Sequence, residues 1–194
     1  YHEHFSYLSL HTVSRIFSSV DLRVWKVEEI PTHGGSLRVY GCHQNDEHET
    51  SRSVDKLLKE EVNRGLLELE TYMNFTGRVN KIKDDLLSFL IDQKSSGNKV
   101  VAYGAAAKGN TLLNYAGIKP DLIPFVYDAA KSKQGKFLPG SHIPILSPEF
   151  LSKTNPDFLL ILPWNIADEV RLQNNFLIER GVKFVIAIPN LTII

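Results

Sequence analysis

An α/β fold with a parallel sheet in its C-terminal part follows from three features of the sequence. From Val100 onward, short apolar runs alternate with stretches of helical spacing, the order in which right-handed crossovers build a parallel sheet. Runs such as Val100-Val101-Ala102-Tyr103 are continuously apolar, which suits strands buried on both faces. Hydrophobic residues make up 43% of the 194-residue chain, enough for a real core and too many for wholesale disorder.

The elements are predicted in order as follows. Leu8, Leu10, Val13, Ile16, Phe17 and Val20 fall at i, i+3, i+4 spacing, which argues an amphipathic helix over 8–20. Leu22, Val24, Trp25, Val27 and Ile30, then Leu37, Val39 and Tyr40, flank the turn formers Pro31-Thr32-His33-Gly34-Gly35-Ser36. That pattern reads as an antiparallel hairpin over 22–42. Residues 43–52 are wholly polar and read as a linker or surface loop. Ser53 is positioned to cap a helix to Asn63 carrying Val54, Leu57, Leu58 and Val62. A longer helix is expected over 69–96, about 40 Å in length, ended by Ser95-Ser96-Gly97. Strands are then expected at 100–103, 123–127, 158–162 and 184–188, with helices at 108–117 and 166–180. At least four parallel strands result, with Gly104 and Asp128 at one edge.

Charge and composition exclude several functions. Lys+Arg and Asp+Glu both number 22, so no net basic surface is available for non-specific nucleic-acid binding or for an anionic membrane. The longest apolar runs are far shorter than the roughly 20 residues of a membrane span. The single cysteine, Cys42, excludes an intramolecular disulfide and a Cys-rich zinc site within this chain. A lone cysteine suits a reducing compartment, so the expected location is cytoplasmic. The chain opens abruptly without Met or a signal-peptide pattern, and is expected to be a piece of a longer protein. Without the remainder, a two-stranded hairpin is marginal. Its apolar face is expected to pack on the 69–96 helix, on a second copy of the chain as a homodimer, or on both.

Two clusters could carry chemistry. Tyr1-His2-Glu3-His4 combines a base active near neutral pH, a carboxylate that can orient it and a phenol; the alternative is a loop with ordinary surface hydrogen bonds. Its His-x-His has no third ligand at helical spacing, so no metal is expected there. Gly104-Ala105-Ala106-Ala107-Lys108-Gly109-Asn110-Thr111 follows a strand and opens a helix, where doubly wound folds hold phosphates. It is neither a Walker A loop nor G-x-G-x-x-G, and a tight turn with a solvated Lys108 is the plain alternative. Asp128, at the next strand tip, is placed to take ribose hydroxyls or to cap a turn. Lys133-Gln134-Gly135-Lys136 forms a basic loop between strands. Trp164 and Asn165, after the third strand, could meet a base or sugar ring, or simply rim the core.

Five stretches, taken together and in order, resemble one family: Tyr1 to Tyr7, His33 to Val39, Tyr103 to Asn114, Lys133 to Ile145 and Ile161 to Asn165. They are similar to the sugar C-methyltransferases that move methyl from S-adenosylmethionine to a ring carbon of nucleotide-linked keto-deoxysugars. The resemblance implies a parent enzyme with a zinc-binding N-terminal lobe, a methyltransferase domain and a Rossmann-like C-terminal domain. Residues 1–45 would close the methyltransferase domain with a helix and hairpin. Residues 46–97 would be linker and bridging helices, and 98–194 the Rossmann-like domain. His4 is then the expected base for enolate formation, with Glu3 its partner and Tyr1 a hydrogen-bonding neighbour. The substrate would lie between the two domains, with Gly104, Lys108, Gly109, Asn110, Thr111, Asp128, Trp164 and Asn165 as its expected contacts. The zinc cysteines and the S-adenosylmethionine loop of the family are absent from this sequence, so cofactor and zinc would be bound by the upstream part, and the fragment alone is expected to be inactive. A nucleotide or nucleotide-sugar binding module without catalysis is the alternative.

Overall fold

A computed structural model describes residues 6–32 and 35–194. Tyr1, Glu3 and His4 of the expected catalytic cluster, and His33 and Gly34 of the hairpin turn, lie outside the described residues. The chain divides into two compact units, residues 1–76 and 77–194.

The first unit is built on a hairpin. Strands β1 (Leu22–Ile30) and β2 (Ser36–His43) pair antiparallel, with a register shift between Val24 and Lys26 that makes a bulge at Trp25. Helix α1 (Leu10–Ser18) is shorter than the predicted span, and Ser9 caps it by accepting from the Thr12 amide. Helix α2 (Arg52–Asn63) begins two residues earlier than predicted, with Ser51 rather than Ser53 as its cap. The hairpin finds apolar partners within its own unit. Val24 and Val27 of β1 pack with Leu10 of α1 and Val54 of α2 in one small core. The polar stretch after β2 lies along β1: the Gln44 amide donates to the Asp21 carbonyl and the Ser51 amide to Trp25.

The two units meet in sequence where the predicted 69–96 helix breaks. Leu69–Met73 forms α3, Asn74 ends it as a C-cap, and α4 runs Phe75–Ser95. The apolar spacing carries through Asn74 and conceals the interruption.

The second unit holds a six-stranded sheet of order β5-β4-β3-β6-β7-β8. Strands β3 (Val100–Tyr103), β4 (Val126–Tyr127), β5 (Ile145–Leu146), β6 (Phe158–Ile161) and β7 (Lys183–Ile186) are parallel, and β8 (Thr192–Ile193) adds antiparallel at one edge. Burial alternates by face, as period-2 geometry requires. Val100, Ala102, Phe158 and Leu160 pack with Leu86, Phe89 and Leu90 of α4 and with Leu112 and Leu113 of α5 (Ala107–Tyr115). Val101, Tyr103, Leu159 and Ile161 pack on the other face with Leu151 of α6 (Leu151–Thr154) and Val170 of α7 (Ala167–Gln173). Covered on both sides, the sheet is a doubly wound, Rossmann-like α/β arrangement.

Three departures from the sequence reading have local causes. β4 is shorter than 123–127, because Pro124 carries no amide to donate to a ladder. The expected 166–180 helix stops at Gln173, where the Asn174 backbone leaves helical geometry and its side-chain amide donates to the Val170 carbonyl. Strands β5 and β8 are two residues each, too short to show a period. Among the described residues no helix is long and apolar enough to cross a membrane.

Candidate functional site

The carboxyl ends of β3, β4 and β6 bring the predicted contacts to one edge of the sheet. The strand order reverses direction between β3 and β6, and open α/β sheets form a crevice at such a reversal. The chain leaves β3 at Gly104 with φ +90°, and a Cβ there would stand 2.4 Å from Cδ of Pro163, which follows β6. Glycine therefore lets the two strand tips close on one another. Gly109 serves packing in the same way: a Cβ would approach Leu162 Cβ to 2.6 Å. Its role is to seat α5 against β6.

α5 starts directly after this turn, with Ala106 at its N-cap and no side chain capping it. The first-turn amides of such a helix are donors in search of acceptors, and the dipole favours an anion. Lys108 is exposed on that first turn and Thr111 is turned back, its hydroxyl donating to the Ala107 carbonyl. Asn110 reaches into the adjoining cleft, and its buried Oδ1 has no hydrogen-bond partner. The cleft, of about 550 Å³, is lined by residues 105–107, Asn110, Lys133, Lys136 and the segment from Phe137 to Pro139. A pair of donors, an orphaned acceptor and two lysines suit a ligand that carries both anionic oxygens and a hydroxyl or imide donor.

Asp128 sits at the tip of β4, as predicted, and is 8% exposed. Its Oδ2 accepts from the Ala105 amide at 2.7 Å and from Lys133 Nζ at 3.2 Å, and its Oδ1 accepts from the Ala130 amide at 2.8 Å. Lys133 also donates to the Ala105 carbonyl at 3.0 Å. This carboxylate ties the β3 and β4 loops together and holds Lys133 at the cleft wall. It has partners within the protein on both oxygens, so the turn-capping alternative describes its contacts.

Trp164 and Asn165 do not join that cleft. They form a short 3-10 turn after β6 and line a separate depression of about 380 Å³ with Asp168, Arg171, Ile186 and Ile194. Of the expected contacts, Asn110 lines the first cleft and Trp164 and Asn165 the second, while Gly104, Lys108, Gly109, Thr111 and Asp128 line neither.

Sequence reasoning missed two features of the first unit. A cleft of about 770 Å³ is lined by Leu8, Leu10, Val13, the residues 29–31 and 35–37, and Val39; its lining is drawn from both sides of the hairpin turn, which no linear spacing reveals. Glu61 on α2 is buried and accepts from the amides of Leu10 at 2.6 Å and His11 at 2.8 Å, capping α1 from another helix. On the hairpin surface, hydrogen bonds from Lys26 and then Tyr40 hold the Glu28 carboxyl below its usual range. The His48 backbone amide and then its ring do the same for Asp46. Beneath the sheet, burial pushes the Tyr127 phenol up, against an opposing hydrogen bond with Thr154.

Residues 31–189 match the family of C-methyltransferase C-terminal domains. Among curated proteins, C-methyltransferase NovU of Streptomyces niveus is 37% identical over 189 residues, covering 97% of this chain and 45% of that protein. The chain thus spans less than half the length of this relative. Among solved structures, UDP-D-quinovosamine 4-dehydrogenase from Vibrio fischeri is 20% identical, with a TM-score of 0.40 over 50% of this chain and 93% of that one. That likeness is too distant to weigh on either fold or function.

Proposed function

We propose that this chain, which belongs to the C-methyltransferase C-terminal domain family, is the C-terminal part of an enzyme that methylates a ring carbon of a nucleotide-linked keto-deoxysugar. The observation that carries the substrate side is the α5 N-terminus at the sheet edge, uncapped by any side chain and opening on the Asn110–Lys133 cleft. The first-turn amides and Lys108 take the diphosphate oxygens. The orphaned Asn110 Oδ1 takes a donor from the nucleoside or sugar.

A 4-keto group acidifies the hydrogen on the adjacent ring carbon, and His4 acts as the base that removes it. The electron pair of the broken C–H bond moves toward the ketone oxygen, where a hydrogen-bond donor such as Tyr1 stabilises it. Glu3 orients the base. S-adenosylmethionine, when bound, would supply the electrophilic methyl. The S-adenosylmethionine loop of the family is absent from this sequence, and the acid at the β4 tip is committed to Ala105, Ala130 and Lys133. On this reading the cofactor and the zinc of the family are held by residues upstream of these, and this piece alone does not turn over.

Titrating dTDP and UDP into the chain by calorimetry tests the substrate side. Asn110→Asp places a carboxylate beside the phosphates and should weaken binding at least about tenfold, the scale of one charge-assisted contact. Unchanged affinity in that variant would move the nucleotide elsewhere.

A further inference from the structure

We propose that Cys42, Asp46 and His48 form a binding site for a thiophilic divalent cation of the zinc class, where β2 passes into the segment leading to α2. One ligand atom from each residue lies within 4.8 Å of the others. Tetrahedral zinc with sulfur, nitrogen and oxygen ligands holds them roughly 3.3–3.8 Å apart, so modest side-chain rotation closes the set. The donors are a thiol, an imidazole and a carboxylate; the first two select zinc-class ions over magnesium and calcium.

The scaffold beneath these donors is fixed by groups outside the set. Arg23, directly opposite Cys42 in the hairpin register, donates to the carbonyls of Gln44, Asp46 and His48 and to the Thr50 hydroxyl. The Trp25 indole, displaced by the bulge, lies against the His48 ring with centroids 4.5 Å apart. His48 Nδ1 contacts Asp46 Oδ1, so the imidazole and the carboxylate already lie side by side. Cys42 is half-buried, and its thiol is in no disulfide. All three side chains belong to one short stretch of chain, and His48 and Asp46 remain open to solvent. When the metal binds, the Cys42 S–H bond breaks, its proton goes to buffer and the thiolate pair forms the sulfur–metal bond. Water completes the tetrahedron. The bound ion would pin the 43–51 segment to the hairpin, independently of any methyl transfer.

The experiment is a titration of Co2+ into the reduced, tag-free chain under argon, followed by Zn2+ displacement. One equivalent should bring a near-ultraviolet thiolate-to-cobalt band with intense visible bands, both lost when Zn2+ is added. Cys42→Ser should abolish the near-ultraviolet band. His48→Gln and Asp46→Asn should each weaken Co2+ binding more than about tenfold, while circular dichroism shows the fold unchanged. Absence of the band at millimolar Co2+ overturns the site. So does a band that persists undiminished in both His48→Gln and Asp46→Asn, which would leave a lone thiol.

Discussion

At the scale of single residues, two glycines and one carboxylate organise what the edges of this fold can do. Gly104 combines φ +90° with a Cβ position 2.4 Å from the Pro163 ring. Gly104→Ala should therefore destabilise the sheet unit by about 2–4 kcal/mol, from backbone strain and overpacking together. Gly109→Ala has ordinary helical backbone and only the Leu162 collision, so about 1–3 kcal/mol is expected. Trp164 fluorescence during urea unfolding, in a Trp25→Phe background, reads these losses from the second unit alone. A loss for Gly104→Ala no larger than for Gly109→Ala would remove the backbone-strain part. Glu61 makes the opposite kind of contribution. Glu61→Gln keeps its shape but gives up the charge at the α1 N-terminus, and a loss of about 1 kcal/mol is expected. Glu61→Leu leaves both amides buried and unpaired, which should cost about 2–3 kcal/mol. Amide exchange at Leu10 and His11 checks both, since fraying there must precede any wider loss.

At the scale of elements, the hairpin and its polar strap are sensitive to acid. Hydrogen bonds lower the Glu28 and Asp46 carboxyls below their usual ranges. A lowered folded value means stability that is fully present above the ordinary carboxylate range and is lost as pH falls through the depressed values. The first unit should thus hold from neutrality to about pH 4 and loosen below it. The indole of Trp25 lies beside His48, so its fluorescence should shift in that window, and Asp46→Asn should flatten the Asp46 part of the change. An unshifted profile down to pH 2 would show that the strap is held by Arg23 alone. In the second unit, Asp128 and Lys133 make a comparable brace between loops. Asp128→Asn keeps the shape but loses the charge that holds Lys133, and nucleotide affinity should fall with the cleft wall even though the residue need not touch the ligand.

At the scale of the whole molecule, the chain carries two units with separate cores: one core under the hairpin in the first, and one on each face of the sheet in the second. Each has its own tryptophan, Trp25 and Trp164. Unfolding monitored through each in turn should give non-coincident transitions, with the small hairpin unit melting first because it buries far less apolar surface. Coincident transitions would mean that the two units unfold together. In the full-length parent, His4→Ala should reduce methyl transfer by about a hundredfold or more and lower exchange of the acidic ring hydrogen with deuterated solvent in step. Exchange at the wild-type rate with methylation lost would take the base role away from His4.

What the sequence by itself determined were the elements whose physics is local or repetitive. β3, β6 and β7 announce themselves because burial on both faces demands continuous apolar runs, and α1 and α2 because one buried stripe imposes helical spacing. Gly104 and Asp128 were legible as strand tips for the same reason. Tertiary structure alone decided the rest. It set α1 and α2 against the hairpin, since which apolar face meets which depends on chain reversal and not on spacing. It recruited β5 and β8 as strands, although two residues carry no period, because a neighbouring ladder offered hydrogen bonds. It committed Asp128 to the amides of a neighbouring loop and Glu61 to a helix start 50 and 51 residues away, partners that no linear pattern names. It also gathered Cys42, Asp46 and His48 within reach of one another, because a bulge at Trp25 and the reach of Arg23 folded a plain polar stretch back onto the strand.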